Sequence, residues 1–282
     1  MMSQKSYDGS NSLYLIPTPI GNLEDITLRA INTLKKVEVL FCEDTRIAGL
    51  LLNKLEIKKK LISCNNINEE LVKEKVLSYL KDGLDVGLIT DRGTPIISDP
   101  GYKVVEYVVN KGYNVIGLPG PTALIPALIT SGIEPSPFLF FGFLNSKQSK
   151  LEKELQMLKS FKYTLIFYES PHRIVSMLET LKKVFGDRKI SVNREISKLY
   201  EEIYRGTISE VIKELGEEIK GEFVIIVEGN KDIISYDELS VRDHIISYVN
   251  LGYSEKEAMK LVARDRKTTK SDIYKEYHKG RD

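Results

Sequence analysis

The sequence predicts an α/β protein with two α/β domains, followed by a small helical segment at the C-terminus. Apolar strand-like runs alternate with amphipathic stretches over residues 12–132, which is the pattern of a mostly parallel sheet covered by helices on both faces. A proline-rich stretch at 131–138 (SGIEPSPF) then precedes a second alternating series. From residue 237 onward the pattern is helical, without an apolar strand-like run.

The first series begins with the buried strand 13–17 (LYLIP), and Thr27 caps the helix that follows it. Further strands are predicted at 37–42, 59–64, 85–90 and 113–118, and further helices at 45–54, 68–81, 99–111 and within 119–130. Asp99 is the predicted N-cap of helix 99–111 and Pro100 its first residue, because proline suits the first helical position. Gly83 is predicted to end helix 68–81.

The second series predicts a mixed sheet. Strands are predicted at 138–144, 163–170, 189–196, 199–206 and 221–229, and helices at 147–160, 171–184 (with Pro171 at its start) and 207–215. The very short connection between strands 189–196 and 199–206 indicates an antiparallel pair. We therefore predict three domains, at 12–132, 137–232 and 237–282.

The C-terminal tail differs from the rest of the chain in its charge. Residues 256–281 include nine Lys or Arg and four Asp or Glu, whereas the whole chain has a formal net charge of +1. Ser254 and Glu257 predict a capping box before the first of two helical stretches, which a polar turn near 267–270 separates. Such a basic surface suits nucleic-acid phosphates, but a solvated pair of charged helices would look the same.

Composition excludes several classes of protein. Hydrophobic content of 42% and charged content of 29% are ordinary for a soluble globular protein. Cys42 and Cys64 do not form a CxxC motif and lie in or beside strands, so we expect buried free thiols. With three histidines in the chain, a zinc site is not expected. Neither a signal peptide nor a membrane span is visible, so we expect a cytoplasmic protein.

Three loops rich in glycine and proline follow predicted strands. They are PTPIGNLED (17–25), ITDRGTPIISDPG (89–101) and LPGPTA (118–123). Ligands bind at the carboxyl ends of strands in open parallel sheets, so three such loops in one domain favour a binding site over ordinary tight turns. Proline lacks the N–H group that a phosphate cradle needs. The loops therefore suit a ligand without phosphate, such as S-adenosylmethionine.

Seven motifs in order resemble a known family. They are LYLIPTPIGNLEDIT, EDTR, DRGTPIISDPGY, LPGPTALIPAL, FYESPHR, the dipeptide RE at 194–195 and GEFVIIVEG. Over residues 13–229 the sequence resembles the bacterial 16S ribosomal RNA (cytidine-2′-O)-methyltransferases of the tetrapyrrole methylase superfamily, and the tail is similar to their small C-terminal domain. The resemblance implies two α/β domains with S-adenosylmethionine in the cleft between them. It also implies methylation of a cytidine ribose in the decoding region of the small subunit, a homodimer and no metal.

By position, the resemblance implies a set of cofactor contacts. In the three loops they are Pro19, Ile20, Asp91, Gly93, Thr94, Ile97, Pro119, Gly120, Thr122 and Ala123. Phe167 and Tyr168 would close over the cofactor, although core packing explains these aromatic residues equally well. Arg92 departs from the family pattern, which has alanine there. It points away from the site, or it contacts the RNA or the cofactor carboxylate.

Methyl transfer from a sulfonium needs mainly alignment, while a ribose hydroxyl also needs a group that accepts its proton. The candidate catalytic residues are Glu43, Asp44 and Arg46 in EDTR, Asp91, and Glu169 and Arg173 with Glu195. Asp44 or Thr45 would also serve as a helix cap. Glu169 and Arg173 would also form a simple intrahelical ion pair, or Arg173 would hold an RNA phosphate. His172 as a base is a further alternative.

The expected partner is 16S rRNA or the 30S subunit. The tail residues expected to contact RNA phosphates are Lys260, Arg264, Arg266, Lys267 and Lys270. The sequence leaves two other functions open. The acceptor would be a tetrapyrrole or a protein side chain, or the protein would be a non-catalytic assembly factor with Arg92 blocking its pocket.

Overall fold

The computed structural model describes residues 3–6, 8–216, 219–231, 239–250 and 252–279. The chain divides into two compact units, residues 1–230 and 231–282. The strands of the first unit are β1 (Ser12–Leu15), β2 (Val39–Cys42), β3 (Lys60–Ser63), β4 (Val86–Ile89), β5 (Asn114–Gly117), β6 (Phe138–Phe143), β7 (Thr164–Glu169), β8 (Lys189–Arg194), β9 (Glu202–Thr207) and β10 (Phe223–Val227). The predicted strands are all present, with ends shifted by a few residues.

Helices alternate with these strands. They are α1 (Leu28–Lys36), α2 (Thr45–Lys54), α3 (Glu69–Lys81), α4 (Tyr102–Asn110), α5 (Leu124–Thr130), α6 (Gln148–Leu158), α7 (Ile174–Phe185) and α8 (Ile208–Glu214), with a short 3-10 turn at Leu23–Asp25. The side chain of Thr27 accepts a hydrogen bond from the backbone of Ala30, which confirms the predicted cap of α1. Gly83 follows α3 with a φ of 79°, a conformation that favours glycine.

The first sheet is parallel, as predicted, with the strand order β3-β2-β4-β1-β5. All residues of β2 and β4 are buried, because helices cover both faces of the sheet. Strands β1, β4 and β5 are parallel neighbours, so the three glycine- and proline-rich loops all lie at the carboxyl ends of these strands. Ligands bind at the carboxyl ends of the strands in open α/β sheets.

The second sheet is mixed, as predicted, with the order β6-β7-β10-β8-β9. Strands β6 and β7 are parallel, and the predicted antiparallel pair is confirmed as β8 and β9. Strand β10 runs against both of its neighbours, so Phe223 at its start pairs with Glu169 at the end of β7 and Arg194 at the end of β8. Three chain segments thus meet at one edge of this sheet.

The two sheets share a small apolar interface within the first unit. Helix α5 of the first series packs on β7 and β10 of the second through Ala127, Leu128, Ile133, Ile166, Ile196, Val224 and Ile226. The guanidinium of Arg205 also donates hydrogen bonds of 2.9 and 2.6 Å to the carbonyl oxygen of Thr130. These contacts set the separation of the two sheet edges.

Helix α4 begins later than predicted. Its first residue is Tyr102 and its N-cap is Gly101, so Asp99 and Pro100 precede the helix. The carboxylate of Glu69, from α3, accepts hydrogen bonds from the backbone N–H groups of Gly101 (2.9 Å) and Lys103 (2.8 Å). Because a carboxylate from another helix satisfies these donors, Asp99 is not needed as a cap.

The second unit is helical, as predicted, with α9 (Val241–Asn250), α10 (Glu255–Asp265) and α11 (Lys270–His278). Its core consists of Val241, Ile245, Ala258, Met259, Val262, Ala263 and Ile273. The capping box of Ser254 and Glu257 is confirmed. Helix α9 was not predicted as a separate element, although Ser240 and Asp243 give a start signal: the Asp243 N–H donates to Ser240 Oγ at 3.0 Å.

Both cysteines are buried free thiols, as predicted, and burial raises the pKa of Cys42 and of Cys64 to about 12. Within the described ranges, no helix combines the length and apolar character needed to cross a bilayer. The same residues contain no group of three or more His, Cys, Asp or Glu side chains arranged to hold a metal ion.

Candidate active site

The three glycine- and proline-rich loops are joined to one another. Thr18 and Gly93 exchange two backbone hydrogen bonds of 2.9 Å each, which connect the loop after β1 to the loop after β4. The hydroxyl of Thr94 donates to the carbonyl oxygen of Pro121 (2.9 Å), which connects the loop after β4 to the loop after β5. The loops therefore form one rigid wall.

Close packing of glycine against proline makes this wall compact. A Cβ atom at Gly120 would lie 2.6 Å from Cβ of Pro17, so the third loop contacts the first where a side chain would not fit. Gly93 has a φ of 80°, and a Cβ there would lie 3.2 Å from Cγ2 of Ile20. The proline-rich first turn thus serves as a fixed surface on which the other two loops pack.

A cavity of about 470 Å³ lies between this wall and the edge of the second sheet. This volume falls within the roughly 300–1,000 Å³ typical of small-molecule sites. Several residues predicted as cofactor contacts or catalytic groups line it, namely Ile20, Gly93, Thr94, Ile97, Thr122, Ala123, Tyr168, Glu169 and Glu195. Burial raises the pKa of Tyr168 above its ordinary value, with hydrogen bonds from Thr122 and the Leu124 backbone acting in the opposite direction.

Other predicted contacts do not line the cavity. These are Pro19, Asp91, Pro119, Gly120 and Phe167. Phe167 is fully buried in the core of the second sheet, where its ring centroid lies 6.0 Å from that of Phe141. Side chains alternate between the faces of a strand, so Tyr168 faces the cavity and Phe167 cannot. The core-packing alternative is therefore the correct one for Phe167.

The EDTR turn also lies outside the cavity lining. Asp44 is the N-cap of α2, accepting from the Arg46 backbone at 2.8 Å, and it forms an ion pair with the exposed Arg46 guanidinium. These hydrogen bonds with Arg46 lower the pKa of Asp44 to about 2. Glu43 accepts from the Thr90 hydroxyl at 3.0 Å, and Asp91 accepts from the Asp44 N–H at 3.0 Å. The EDTR turn thus contacts the start of the loop after β4, through Thr90 and Asp91.

The cavity contains an acidic residue that sequence reasoning took for a helix cap. Asp99 lines the cavity, and burial raises its pKa to about 6, helped by the charges of Glu43 and Asp91 and opposed by a hydrogen bond with Thr90. The sequence signal was its position in the loop after β4. Further lining residues that sequence reasoning did not select are Ser98, Phe143, Ser170, Pro171, Ile196, Lys198, Glu222, Phe223 and Val224.

The FYESPHR segment places a buried carboxylate at the cavity. Glu169 is 2% exposed, and its Oε1 accepts hydrogen bonds from the Ser170 N–H (2.7 Å) and hydroxyl (3.2 Å). Its Oε2 lies 3.4 Å from Arg173 Nη2 and has no hydrogen-bond partner among the described residues. Because α7 begins at Ile174 and not at Pro171, Glu169 and Arg173 do not form an intrahelical pair.

Arg173 binds protein carbonyls. Its Nη2 donates to the carbonyl oxygens of Leu144 (3.2 Å) and Asn145 (2.9 Å), in the segment after β6. Arg173 therefore connects Glu169 to the segment after β6. His172 is exposed and does not line the cavity.

Arg92 points to the cavity mouth. Its Nη1 lies 2.6 Å from Oε1 of Glu222, which stands just before β10, and the cavity persists beside this ion pair. Lys198 Nζ lies 2.8 Å from Oε2 of Glu222 and 2.8 Å from Oε1 of Glu195. Arg92 therefore bridges the two sheets and does not fill the pocket.

Four of the five tail residues predicted to contact RNA are exposed, namely Lys260, Arg264, Lys267 and Lys270. Arg266 is different, because its guanidinium donates to the carbonyl oxygen of Leu239 and to Nδ1 of His244 (3.3 Å). Burial and the nearby Arg266 charge lower the pKa of His244. Arg266 thus connects parts of the helical unit, unlike the four exposed cations.

Residues 12–212 match the family described as Tetrapyrrole (Corrin/Porphyrin) Methylases. The chain belongs to the tetrapyrrole methylase family. A Bacillus subtilis (strain 168) protein named ribosomal RNA small subunit methyltransferase I is 44% identical over 285 residues, which cover 98% of each chain. A Halalkalibacterium halodurans protein of the same name is 43% identical over 287 residues, covering 99% of each chain.

Among solved structures, the fold resembles uroporphyrin-III C-methyltransferase from Thermus thermophilus. The TM-score is 0.56 with 18% identity, over 77% of this chain and 94% of the other. This likeness concerns the tetrapyrrole methylase fold alone.

Methylases of this family use S-adenosylmethionine, and the cavity fits this cofactor. S-adenosylmethionine carries positive charges and no phosphate. The lining offers carboxylates from Asp99 and Glu169, and the loops around it are rich in proline, which lacks an N–H group. Backbone at Gly93 approaches the cavity without a side chain in between. The cavity thus complements a cationic ligand of small-molecule size.

Proposed function

We propose that this chain transfers the methyl group of S-adenosylmethionine to the ribose 2′-hydroxyl of a cytidine in 16S rRNA, in the decoding region of the small subunit. The observation that carries the proposal is the near full-length similarity, tail included, to proteins named ribosomal RNA small subunit methyltransferase I. The choice of the 2′-oxygen and of cytidine is based on the family resemblance of the seven motifs described above.

Cofactor binding is assigned to the loop wall. Gly93, Thr94, Ile97, Thr122 and Ala123 would hold S-adenosylmethionine, with Tyr168 on the opposite side. The bound cofactor supplies a methyl group that its sulfonium has already activated. The protein's main task is then to align the ribose oxygen with that group and to exclude water.

We assign the proton acceptor to Glu169. Glu169 lines the cavity, and its buried Oε2 lacks a hydrogen-bond donor among the described residues, so a substrate hydroxyl would supply the missing hydrogen bond. Oε2 would take up the hydroxyl proton when the ribose oxygen receives the methyl group that the bound cofactor would supply. Arg173 holds the carboxylate and the segment after β6 in place.

RNA contact outside the cavity is assigned to Lys260, Arg264, Lys267 and Lys270, which would bind backbone phosphates of 16S rRNA or the 30S subunit. We further propose, from the family resemblance, that the protein acts as a homodimer in the cytoplasm without a metal.

Transfer of tritium from labelled S-adenosylmethionine tests this function. The acceptors are 30S subunits and naked 16S rRNA from cells that lack the protein, followed by nucleoside analysis. We expect label in 2′-O-methylcytidine, and 30S subunits from cells that contain the protein are the control that accepts little label. Absence of label with both acceptors, despite tight cofactor binding, would refute the rRNA substrate.

A further inference from the structure

Two cations from different parts of the fold converge on one carboxylate at the cavity mouth. Arg92, from the loop after β4, contacts Oε1 of Glu222 at 2.6 Å. Lys198, from the loop after β8, contacts Oε2 of the same carboxylate at 2.8 Å. Each carboxylate oxygen therefore has its own cation, which is also how two oxygens of a phosphate group are bound.

The position of Lys198 is built into the fold. Its side-chain stem crosses Gly21 of the first loop so closely that a Cβ there would overlap it. The loop that carries Lys198 is fixed by a hydrogen bond from Ser197 Oγ to Asp25 and by one from Lys198 N to Glu195 O (2.9 Å). Lys198 is thus held over the first-sheet loops even though it belongs to the second sheet.

The side chains of Arg92, Lys198 and Glu222 lie at the cavity mouth, as their solvent exposure indicates. The Glu222 side chain is 61% exposed and that of Arg92 54%, whereas that of Lys198 is 20% exposed. An ion pair this exposed contributes little net stability, so another anion can displace the Glu222 carboxylate at small cost. When Glu222 leaves, its charge is solvated by water, while Lys198 keeps its contact with Glu195.

We propose that Arg92 and Lys198 form a phosphate site at the cavity mouth, which binds the RNA backbone next to the target ribose, and that Glu222 occupies this site until the RNA displaces it. The inference rests on the proposed function and deepens it. It assigns a substrate contact to Arg92, the residue that departs from the family pattern, and to Lys198.

The location favours an RNA phosphate over the cofactor carboxylate. The acceptor ribose must enter from solvent through the mouth, where its flanking phosphates meet the first exposed cations. The cofactor is assigned to the wall formed by Gly93, Thr94 and Thr122, which are buried or half-buried, whereas Arg92 is exposed. Glu195 keeps its own contact with Lys198 (2.8 Å), so the site retains one carboxylate to orient this lysine after Glu222 has moved.

The test compares three cavity variants with a matched surface pair. The variants are Arg92→Met, Lys198→Met and Glu222→Gln. The controls are Lys183→Met and Glu152→Gln, which break an exposed ion pair of 2.9 Å between α7 and α6 that does not line the cavity. For each protein we would measure kcat and KM for 30S subunits, the dependence of RNA affinity on salt, and S-adenosylmethionine affinity by calorimetry.

We expect Arg92→Met and Lys198→Met each to raise KM for RNA about tenfold, since a charge-assisted hydrogen bond is lost, and to reduce the log–log salt slope by about 1. Glu222→Gln should lower KM, because the competing carboxylate is gone, whereas Glu152→Gln, with the same change in net charge, should not. Cofactor affinity should stay within about twofold in all five variants.

Two results would overturn the inference. One is that KM and salt slope of both cation variants match those of the controls. The other is a loss of cofactor affinity without a change in KM for RNA, which would assign the cations to the cofactor carboxylate. If Lys198→Met does not fold, the KM and salt slope of Arg92→Met, at an exposed position, decide whether the phosphate site exists. Failure of the proposed function is distinguishable, because the wild-type protein would then label no RNA.

Discussion

Oε2 of Glu169 lies 3.4 Å from Nη2 of Arg173, at the point where β7 ends and the turn into α7 begins. The same Nη2 atom also contacts the carbonyl oxygens of Leu144 and Asn145. Oε2 accepts no hydrogen bond within the described part of the chain, so we propose that it receives the substrate hydroxyl. This relationship links the strand end of the second sheet to the proposed chemistry.

Glu169→Gln tests the assignment of the proton acceptor. The amide keeps the shape of the side chain but cannot take up the hydroxyl proton, so kcat, measured at saturating S-adenosylmethionine, should fall by about 10²-fold. Glu179→Gln, at an exposed position of α7, is the control and should keep full activity. A kcat of Glu169→Gln within twofold of the wild type would exclude Glu169 as the proton acceptor.

Gly93→Ala tests the loop wall, with Gly83→Ala as its matched control. The two glycines have φ values of 80° and 79°, so alanine should cost about 1 kcal/mol of unfolding free energy at either position. A Cβ at Gly93 would press on Ile20 in the cavity, while a Cβ at Gly83 meets no atom within 4 Å. Calorimetry should therefore show weaker S-adenosylmethionine binding for Gly93→Ala alone; equal cofactor affinities would contradict the assignment.

Asp99 predicts a pH dependence of stability. Its pKa rises from 3.8 to about 6 in the folded protein, mainly through burial, so the folded state binds more protons than the unfolded state between these values. Stability from this group therefore falls as pH rises from about 4 to 6, and ionised Asp99 costs stability above that range. Asp99→Asn should raise the unfolding free energy at pH 7 by about 1 kcal/mol, after allowance for solvent screening.

Urea denaturation between pH 4 and pH 8 measures this effect. The Asp99→Asn profile should lack the decrease that the wild type shows through this group, while Asp82→Asn, in an exposed turn, should keep it. Identical profiles for the wild type and Asp99→Asn would contradict the prediction. Asp99 lines the cavity, and its ionised carboxylate would attract the positive cofactor, so cofactor affinity should increase as pH rises through 6.

Arg264 and Arg266 separate RNA contact from folding in the helical unit. Arg264→Ala removes an exposed cation, so it should weaken RNA binding across sequences and reduce the salt slope by about 1 without changing the melting temperature. Arg266→Ala removes hydrogen bonds to Leu239 and His244, so it should lower the melting temperature of the full-length protein. The reverse pattern would show that the two assignments are exchanged.

The sequence predicted the order and type of the strands because alternating apolar runs and glycine stops are local signals. The same local signals predicted the three loops at the carboxyl ends of strands in a parallel sheet. The start of α4 was wrong because its N–H groups are satisfied by Glu69, which is distant in sequence. Side chains alternate between the two faces of β7, so only one of Phe167 and Tyr168 can line the cavity. The sequence alone did not show which face of β7 lies against the core.

Lys198 and Glu222 were not selected from the sequence for a related reason. They lie in different loops, after β8 and before β10, and they meet Arg92 of the first sheet only through the packing of the two sheets. Similarly, EDTR was selected as a motif with candidate catalytic residues, but its Asp44 caps α2. Local patterns identify loops that belong to a site, but tertiary contacts determine which side chains enter it.

Alkaline hydrolysis of the methylated RNA tests the central claim most directly. Cleavage of RNA by alkali needs a free 2′-hydroxyl, so a 2′-O-methyl group protects the adjacent phosphodiester. After reaction of 30S subunits with tritiated S-adenosylmethionine, we predict that the label appears in one alkali-resistant dinucleotide that begins with cytidine. Label released as mononucleotides would mean methylation of a base, and it would contradict the proposed ribose 2′-O-methyltransferase.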